Sequence, residues 1–196
     1  MRKRIFIDRK TGTKEKIDII KRAAENKYDA VVFSLFEKFN ANNICIKLAK
    51  HYGLNIEAGG HELSLLLPKR LFFFHRDLFR MEQGKRKNGH HFCPTNPKTI
   101  FIIKEKAKVL FSRSMQTVTT PRIFHLLADE GHESIWCACP ACRAFSPAEQ
   151  NIIAVNSAAD VLAGLDPDAR LSFFDYNVEP EEEGVEPRKN MFLLKK

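Results

Sequence analysis

Residues 125–150 read HLLADEGHESIWCACPACRAFSPAEQ. Cys137, Cys139 and Cys142 form a C-x-C-x-x-C run in this stretch. Thiolates at that spacing suit one Zn²⁺ ion, which takes about four nitrogen or sulfur ligands in a tetrahedron. Three ligands are local, so the fourth must come from elsewhere. Cys93, His90, His91 and His132 are the candidates. Two other readings stay open. Cys139-Pro140-Ala141-Cys142 also fits a redox C-x-x-C motif, although it lies in a loop before a separately capped helix. The cysteines can equally be plain loop residues or an oxidised pair. The set expected to hold metal is Cys93, Cys137, Cys139 and Cys142, with structural zinc as the expected cofactor. Cys45 shares an apolar stripe with Ile44, Leu48 and Ala49 and reads as a small buried hydrophobe. Five cysteines, an odd number, argue against a disulfide framework.

Just ahead of the cysteines, Asp129 and Glu130 follow the apolar run RIFHLLA. Carboxylates at a strand end suit general acid/base work or attack on a glycosidic bond. Neighbouring side chains on a strand face opposite ways, so His125, Leu127 and Asp129 share one side. Glu130 joins them only where the chain has already turned. The ends of other apolar runs carry further candidates. Glu57 precedes Gly59, Gly60 and His61, and Asp175 precedes Tyr176. Asp129, Glu130, Asp175 and Glu57 are the expected catalytic acids. Gly60, His61, Asn96, His125 and Tyr176 are the expected substrate contacts. The plainer alternative is that the acids are solvent-facing loop residues and Gly59-Gly60 an ordinary turn.

The elements that must position these groups alternate between helix and strand. Residues 14–26 carry Ile17, Ile20 and Ala24 at helical spacing, and DAVVFSLF at 29–36 reads as a buried strand. Asn42 is placed to cap a second helix that ends at Gly53, and residues 54–58 make a second buried strand. Asn96-Pro97 is a cap followed by proline at the first helical position, opening a helix to about residue 112. Ser146-Pro147-Ala148-Glu149 is a capping box, and its helix reaches about Gly164. Further strands fall near 4–8, 122–128, 170–176 and 190–194. Six parallel strands with intervening helices predict an α/β fold in one domain over residues 1–196, either a doubly wound sheet or an incomplete (β/α)8 TIM-type barrel. A whole barrel needs about 250 residues. Residues 61–95 interrupt the rhythm with a long basic, aromatic loop. At least two of the three phenylalanines in LFFFH are expected to pack onto the domain.

Charge is uneven. Residues 1–100 hold 21 Lys/Arg against 10 Asp/Glu, and residues 101–196 hold 11 against 14. A basic half suits nucleic acid or an anionic ligand, but lysines spread over helical segments more simply solvate helix faces. Apolar residues at 44% and charged residues at 29% describe a globular domain. No apolar run reaches the roughly 20 residues that span a bilayer. The stretch Ile5–Ile7 is too short for a signal peptide, so a cytoplasmic location is expected.

GLNIEAGGH (53–61), HHFCPTNP (90–97), RIFHLLADEG (122–131), WCACPACRAFSPAEQ (136–150) and the segment 154–177 resemble, in order and approximate spacing, one family. It is the domain of unknown function numbered 4838, grouped with TIM-barrel glycoside hydrolases. The resemblance covers roughly residues 50–196. It implies a barrel with its site at the carboxyl face and carbohydrate as the substrate class. Matching positions are Gly59, Gly60, His61, Cys93, Asn96, Pro97, Asp129, Cys137, Cys139, Cys142 and Asn156. Asp129-Glu130 is also similar to the Asp-Glu pair of hexosaminidase-type barrels, where Glu is the acid and Asp orients the acetamide. Members are longer, and their barrel continues past NMFLLKK. Either the chain is a fragment or split gene product, or a second chain completing the barrel is its expected partner. A glycoside-hydrolase-like barrel is the leading reading. Its alternatives are a non-catalytic sugar-binding remnant, or a basic zinc-containing nucleic-acid-binding module. The last needs Lys and Arg clustered near the cysteines, which lie far from the basic half in sequence.

Overall fold

The computed structural model describes residues 2–37, 42–129, 131–132, 135–174 and 184–194. Six parallel strands form one sheet: β1 Arg4–Ile7, β2 Ala30–Phe33, β3 Asn55–Gly60, β6 Ile123–Leu126, β7 Arg170–Phe174 and β8 Met191–Leu194. They lie in the order β1-β2-β3-β6-β7-β8, which is their order along the chain. Among the described residues four helices lie between them: α1 Thr13–Glu25, α2 Ile44–His51, α3 Pro97–Ser114 and α4 Pro147–Leu165. The expected α/β architecture of six parallel strands with intervening helices is the one observed.

Parallel strands with helices against them bury both faces, and β2 is an uninterrupted apolar run for that reason. Register separates the two faces. Ile5, Val31, Ile56, Ala58, Phe124, Leu171 and Met191 share one side. They pack with Ile20 of α1, Ile46 of α2, Leu110 of α3 and Leu162 of α4 in one core. Phe6, Val32, Glu57, Gly59, His125, Ser172 and Phe192 share the other side. In a barrel that second side is the interior.

Helix starts follow local chemistry. Ser146 and Glu149 close the expected capping box on α4, and Asn96 accepts from the Lys98 and Thr99 amides to open α3. The cap of α2 is Asn43 rather than Asn42, because the Asn43 carbonyl oxygen accepts from the Cys45 and Ile46 amides. Gly53 ends that helix at φ 69°. β2 stops at Phe33, short of the expected residue 36, because the Ser34 hydroxyl accepts from the Phe36 amide and turns the chain.

The segment 61–95 holds three short 3-10 turns, Leu63–Leu66, Lys69–Phe73 and Arg76–Leu78, then a two-stranded hairpin of β4 Met81–Glu82 and β5 Lys85–Arg86. Its aromatic run departs from expectation. Phe72 packs on Phe79, but Phe73 and Phe74 are 77% and 85% exposed. The 3-10 turn is too short to bury consecutive aromatic rings on one side. Among the described residues no helix is long and apolar enough to cross a membrane.

Candidate functional site at the carboxyl ends of the strands

The interior side carries a closed polar chain. Glu57 Oε2 accepts from Arg4 Nε at 2.7 Å and from His125 Nε2 at 2.6 Å, while its Oε1 accepts from Arg2 at 3.2 Å. His125 Nδ1 accepts from the Ser172 hydroxyl at 2.6 Å. Glu57, His125 and Ser172 are fully buried. Burial pushes the Glu57 carboxyl upward, but hydrogen bonds and charge from His125 and Arg4 hold it below its ordinary value. Burial pushes His125 down against the pull of Glu57. The result is an anionic Glu57 beside a neutral imidazole. Phe6 and Phe192 stack edge-on against His125 from β1 and β8, and the Arg4 guanidinium lies 5.9 Å over the Phe192 ring. Side chains of the two outermost strands thus meet across the interior.

Gly59 sits where β3 touches β6. A Cβ there would lie 1.8 Å from the His125 carbonyl oxygen, and its φ is 132°. No other residue lets the strands approach this closely. Beyond it, a cleft of about 210 Å³ opens between the ends of β1 and β3. Asp8, Arg9, Gly60, His61 and Glu62 line it. Glu62 is buried, accepts from the Ser34 hydroxyl and the Leu35 amide, and is raised above the ordinary carboxylate range by burial. His61 donates through Nδ1 to the Ala128 carbonyl at 2.5 Å, tying this rim to the end of β6.

Asp129 stands three residues past β6. Its Oδ1 accepts from the Ser64 hydroxyl at 2.7 Å, and its Oδ2 accepts from His90 Nδ1 at 2.9 Å. The His90 ring stacks on His132 with centroids 3.4 Å apart. Loops after β3 and after β6 therefore deliver an acid, a hydroxyl and imidazoles to one end of the sheet. Barrel enzymes carry their chemistry at this end. A wider groove of about 790 Å³, lined by Asp160, Arg170 and Arg188 among others, opens at the amino ends of β7 and β8. It lies away from these groups.

Beside them sit four sulfurs. Cys93, Cys137, Cys139 and Cys142 are buried, and their Sγ atoms lie within 4.8 Å of one another. Cys93 is 3.7 Å from both Cys139 and Cys142. A tetrahedron with Zn–S bonds of about 2.3 Å has edges of about 3.8 Å, so the spacing fits. Outer groups are in place as well. The Met81 amide donates to Cys137 Sγ at 3.3 Å, Thr95 Oγ1 lies 3.1 Å from Cys142 Sγ, and the Arg86 guanidinium lies 3.8 Å from Cys137 Sγ. Hydrogen bonds from Cys137 and Cys142 hold the Cys93 thiol far below its ordinary value, while contacts with Cys137 and Cys93 push Cys142 up. Gln150, in the first turns of α4, bonds the Cys137 amide and the carbonyls of Cys137, Cys142 and Phe145. The helix thereby pins the loop's shape.

The structure brings Gly60 and His61 to one cleft and Asp129 to the adjoining rim. Glu57 and His125, expected as acid and substrate contact, lie enclosed in the interior network with every polar atom engaged. Asn96, expected as a substrate contact, caps α3 and donates to Asp77. Glu130, Asp175 and Tyr176 lie outside the described residues. Sequence reasoning missed Glu62, Ser64, Arg4 and Ser172. Arg4 and Ser172 had a signal: each is a polar residue at the interior position of an apolar strand.

No family model matches the sequence, and no curated protein matches it. Similarity appears among solved structures. One is a structure of the tandem GH20 catalytic modules of the pneumococcal exo-β-D-N-acetylglucosaminidase StrH. It aligns with 97% of this chain and 58% of its own at 13% identity, with a TM-score of 0.65. A β-N-acetylhexosaminidase aligns over 90% of this chain and 47% of its own at 15% identity, with a TM-score of 0.55. A GH36 α-galactosidase from Geobacillus stearothermophilus covers 89% and 28% at 10% identity, with a TM-score of 0.51. At these identities the likeness is one of fold. The chain has the fold of part of a TIM-barrel glycoside hydrolase and spans under three fifths of the GH20 chain it matches.

Proposed function

We propose that the chain is a glycoside-hydrolase-like barrel segment that binds carbohydrate at the carboxyl ends of its strands. Asp129 is the acid at the centre of that site, with Glu130 beside it in sequence, and the four cysteines hold one structural Zn²⁺. A second chain, or a further part of the same one, supplies the remaining barrel wall. The observation that carries this reading is the placement of Asp129: a strand-end carboxylate oriented by Ser64 and His90 in a fold otherwise found in GH20 and GH36 enzymes.

A carboxylate accepting two hydrogen bonds has a fixed direction. It can orient a sugar amide or hydroxyl, or stabilise positive charge at an anomeric carbon. Titration calorimetry against a panel of terminal N-acetylglucosaminides and galactosides tests binding directly, without requiring turnover. Binding to a panel member is expected, with Asp129→Asn weakening it about tenfold or more at unchanged thermal midpoint. A panel with no measurable binding, or Asp129→Asn binding like wild type, sinks the reading.

One observation favours a second reading. The hairpin bearing Lys85, Arg86 and Lys87 packs against the cysteine loop, where the Ala138 amide donates to the Met81 carbonyl. Positive charge and the cysteine cluster are therefore neighbours in space, although distant in sequence. Binding to single- or double-stranded oligonucleotides that weakens steeply between 50 and 200 mM salt would select the nucleic-acid module.

A further inference from the structure

The cysteine cluster and the Asp129 site are joined by an unbroken series of contacts. Cys93 closes the run 90–93, and Cys137 follows Trp136. There the sulfurs converge. Next along, the His91 ring stacks on Trp136 at 4.3 Å with 6° between planes, and His91 Nε2 donates to the His132 carbonyl at 2.9 Å. At the other end His90 stacks on His132, and its Nδ1 donates to Asp129. His90 and His91 thus meet His132 and Trp136 between the sulfurs and the carboxylate.

Part of that alignment is held without the sulfurs: the His132 amide donates to the Asp129 carbonyl, and Trp136 packs edge-on against Phe92 in the core. Among the described residues, none of 90–93, 132 or 135–137 belongs to the six-stranded sheet or to a helix. His91 holds a φ of 56°, a conformation that L-residues adopt rarely and keep only where their surroundings impose it. Neutral thiols hold one another only weakly. A single tetrahedral ion bound by all four sulfurs as thiolates closes the loop between Cys93 and Cys137.

We propose that Zn²⁺ bound by Cys93, Cys137, Cys139 and Cys142 is a positioning group for Asp129: it clamps residues 90–93 against Trp136 and His132 and so stacks His90 on His132 where His90 reaches the carboxylate. The proposal rests on the sugar-site reading for its biological meaning, but not for its test. His90 and His132 are the hinge between metal and acid. The zinc takes no part in bond breaking; it sets a direction.

The test uses the full chain and reads the histidine rings by NMR, assigned with single His→Gln variants. Stacked imidazoles shield one another, so the ring protons of His90 and His132 should resonate upfield of ordinary histidine positions. Metal analysis should find about one zinc per chain. Removing it with a strong chelator should move both histidines back toward ordinary positions, while His125, enclosed in the sheet interior, stays in place. Cys139→His keeps four ligands and should retain zinc and the upfield signals; Cys139→Ala should lose both. If Cys139→Ala does not fold, chelation of the wild-type chain supplies the same comparison. Three results would overturn the proposal: no zinc bound, zinc removed with His90 and His132 unmoved, or His125 moving together with them. Shifts that follow the metal in a protein that binds no sugar would uphold the clamp and remove only the sugar site.

Discussion

Glu57 Oε2 and His125 Nε2 lie 2.6 Å apart on the inner side of the sheet, and both residues are closed to solvent. The pair comes from adjacent strands, β3 and β6, and Ser172 on β7 extends it by one more bond. The protonation pattern follows from the partners. The imidazole gives its one proton to the carboxylate through Nε2 and receives the Ser172 hydroxyl on Nδ1. A neutral histidine so placed satisfies both neighbours without adding a second charge to the interior.

That arrangement sets the pH dependence of stability. Burial holds His125 below its ordinary value, and His91 is lowered by burial as well. Glu57 is lowered despite burial by His125 and Arg4. Every one of these folded-state shifts is downward, so the unfolded chain binds the protons first as pH falls. Their contribution to stability should be greatest above about pH 6.5 and decline below it as unfolded histidines protonate, then fall further as Glu57 titrates in acid, while Glu62, raised by burial, acts in the opposite sense. Urea midpoints measured from pH 8 to pH 4 give the profile. Wild type should lose more between pH 7.5 and 5.5 than His125→Gln does; equal slopes would show that His125 is not the group responsible.

Removing the anion from this network should cost more than removing either neighbour. Glu57→Ala leaves Arg4 partly buried with no counter-charge, a change worth about 3–5 kcal/mol. Ser172→Ala loses one neutral hydrogen bond, worth about 1 kcal/mol. Chemical denaturation of the two variants should preserve that order. A Glu57→Ala protein as stable as Ser172→Ala would mean that the arginines find solvent instead.

Gly59→Ala is expected to be the most damaging single methyl in the sheet. The added carbon would meet the His125 backbone oxygen at 1.8 Å, and backbone in a sheet cannot step aside as a side chain can. The positive φ adds strain of about 1–3 kcal/mol. Gly60→Ala meets open space, and there only its φ of 148° opposes the change. Soluble yield and thermal midpoint of the two variants should separate clearly, with Gly59→Ala the worse. Similar values would place β3 farther from β6 than the structure has it.

Much of this architecture was legible in the amino acids, for local reasons. Apolar runs such as AVVF have no polar side to present to water, so they must be central strands. Ser146 with Glu149, and Asn96 with Pro97, mark helix starts through bonds made within a few residues. The fourth sulfur, Cys93, was a candidate only because it is a cysteine; convergence with Cys137 across 44 positions is a product of the hairpin and of Gln150 pinning the loop. What was not legible depends on which way an interior side chain finds its partner. Glu57 and Asp129 look alike in sequence, each a carboxylate on or just past an apolar strand. Position along the strand separates them: Glu57 lies inside β3 against Arg4 and His125, while Asp129, three residues past the end of β6, meets Ser64 and His90. Phe73 and Phe74 were unreadable for a different reason: a short 3-10 turn has no sequence period by which buried and exposed positions could be told apart.

Asn96 separates a structural role from a binding one. Its side-chain oxygen accepts from the Lys98 and Thr99 amides, and its nitrogen donates to Asp77. Each contact belongs to the start of α3 or to the turn that precedes the hairpin, and none points into the cleft that His61 and Glu62 line. Asn96→Ala should therefore lower stability by about 1 kcal/mol, the usual cost of a lost cap. Asn96→Asp should keep most of it, since a carboxylate accepts the same amides and suits the helix's positive end. Sugar affinity, where it is found, should be unchanged in both. Loss of affinity in Asn96→Ala without loss of stability would move this residue from the scaffold into the site.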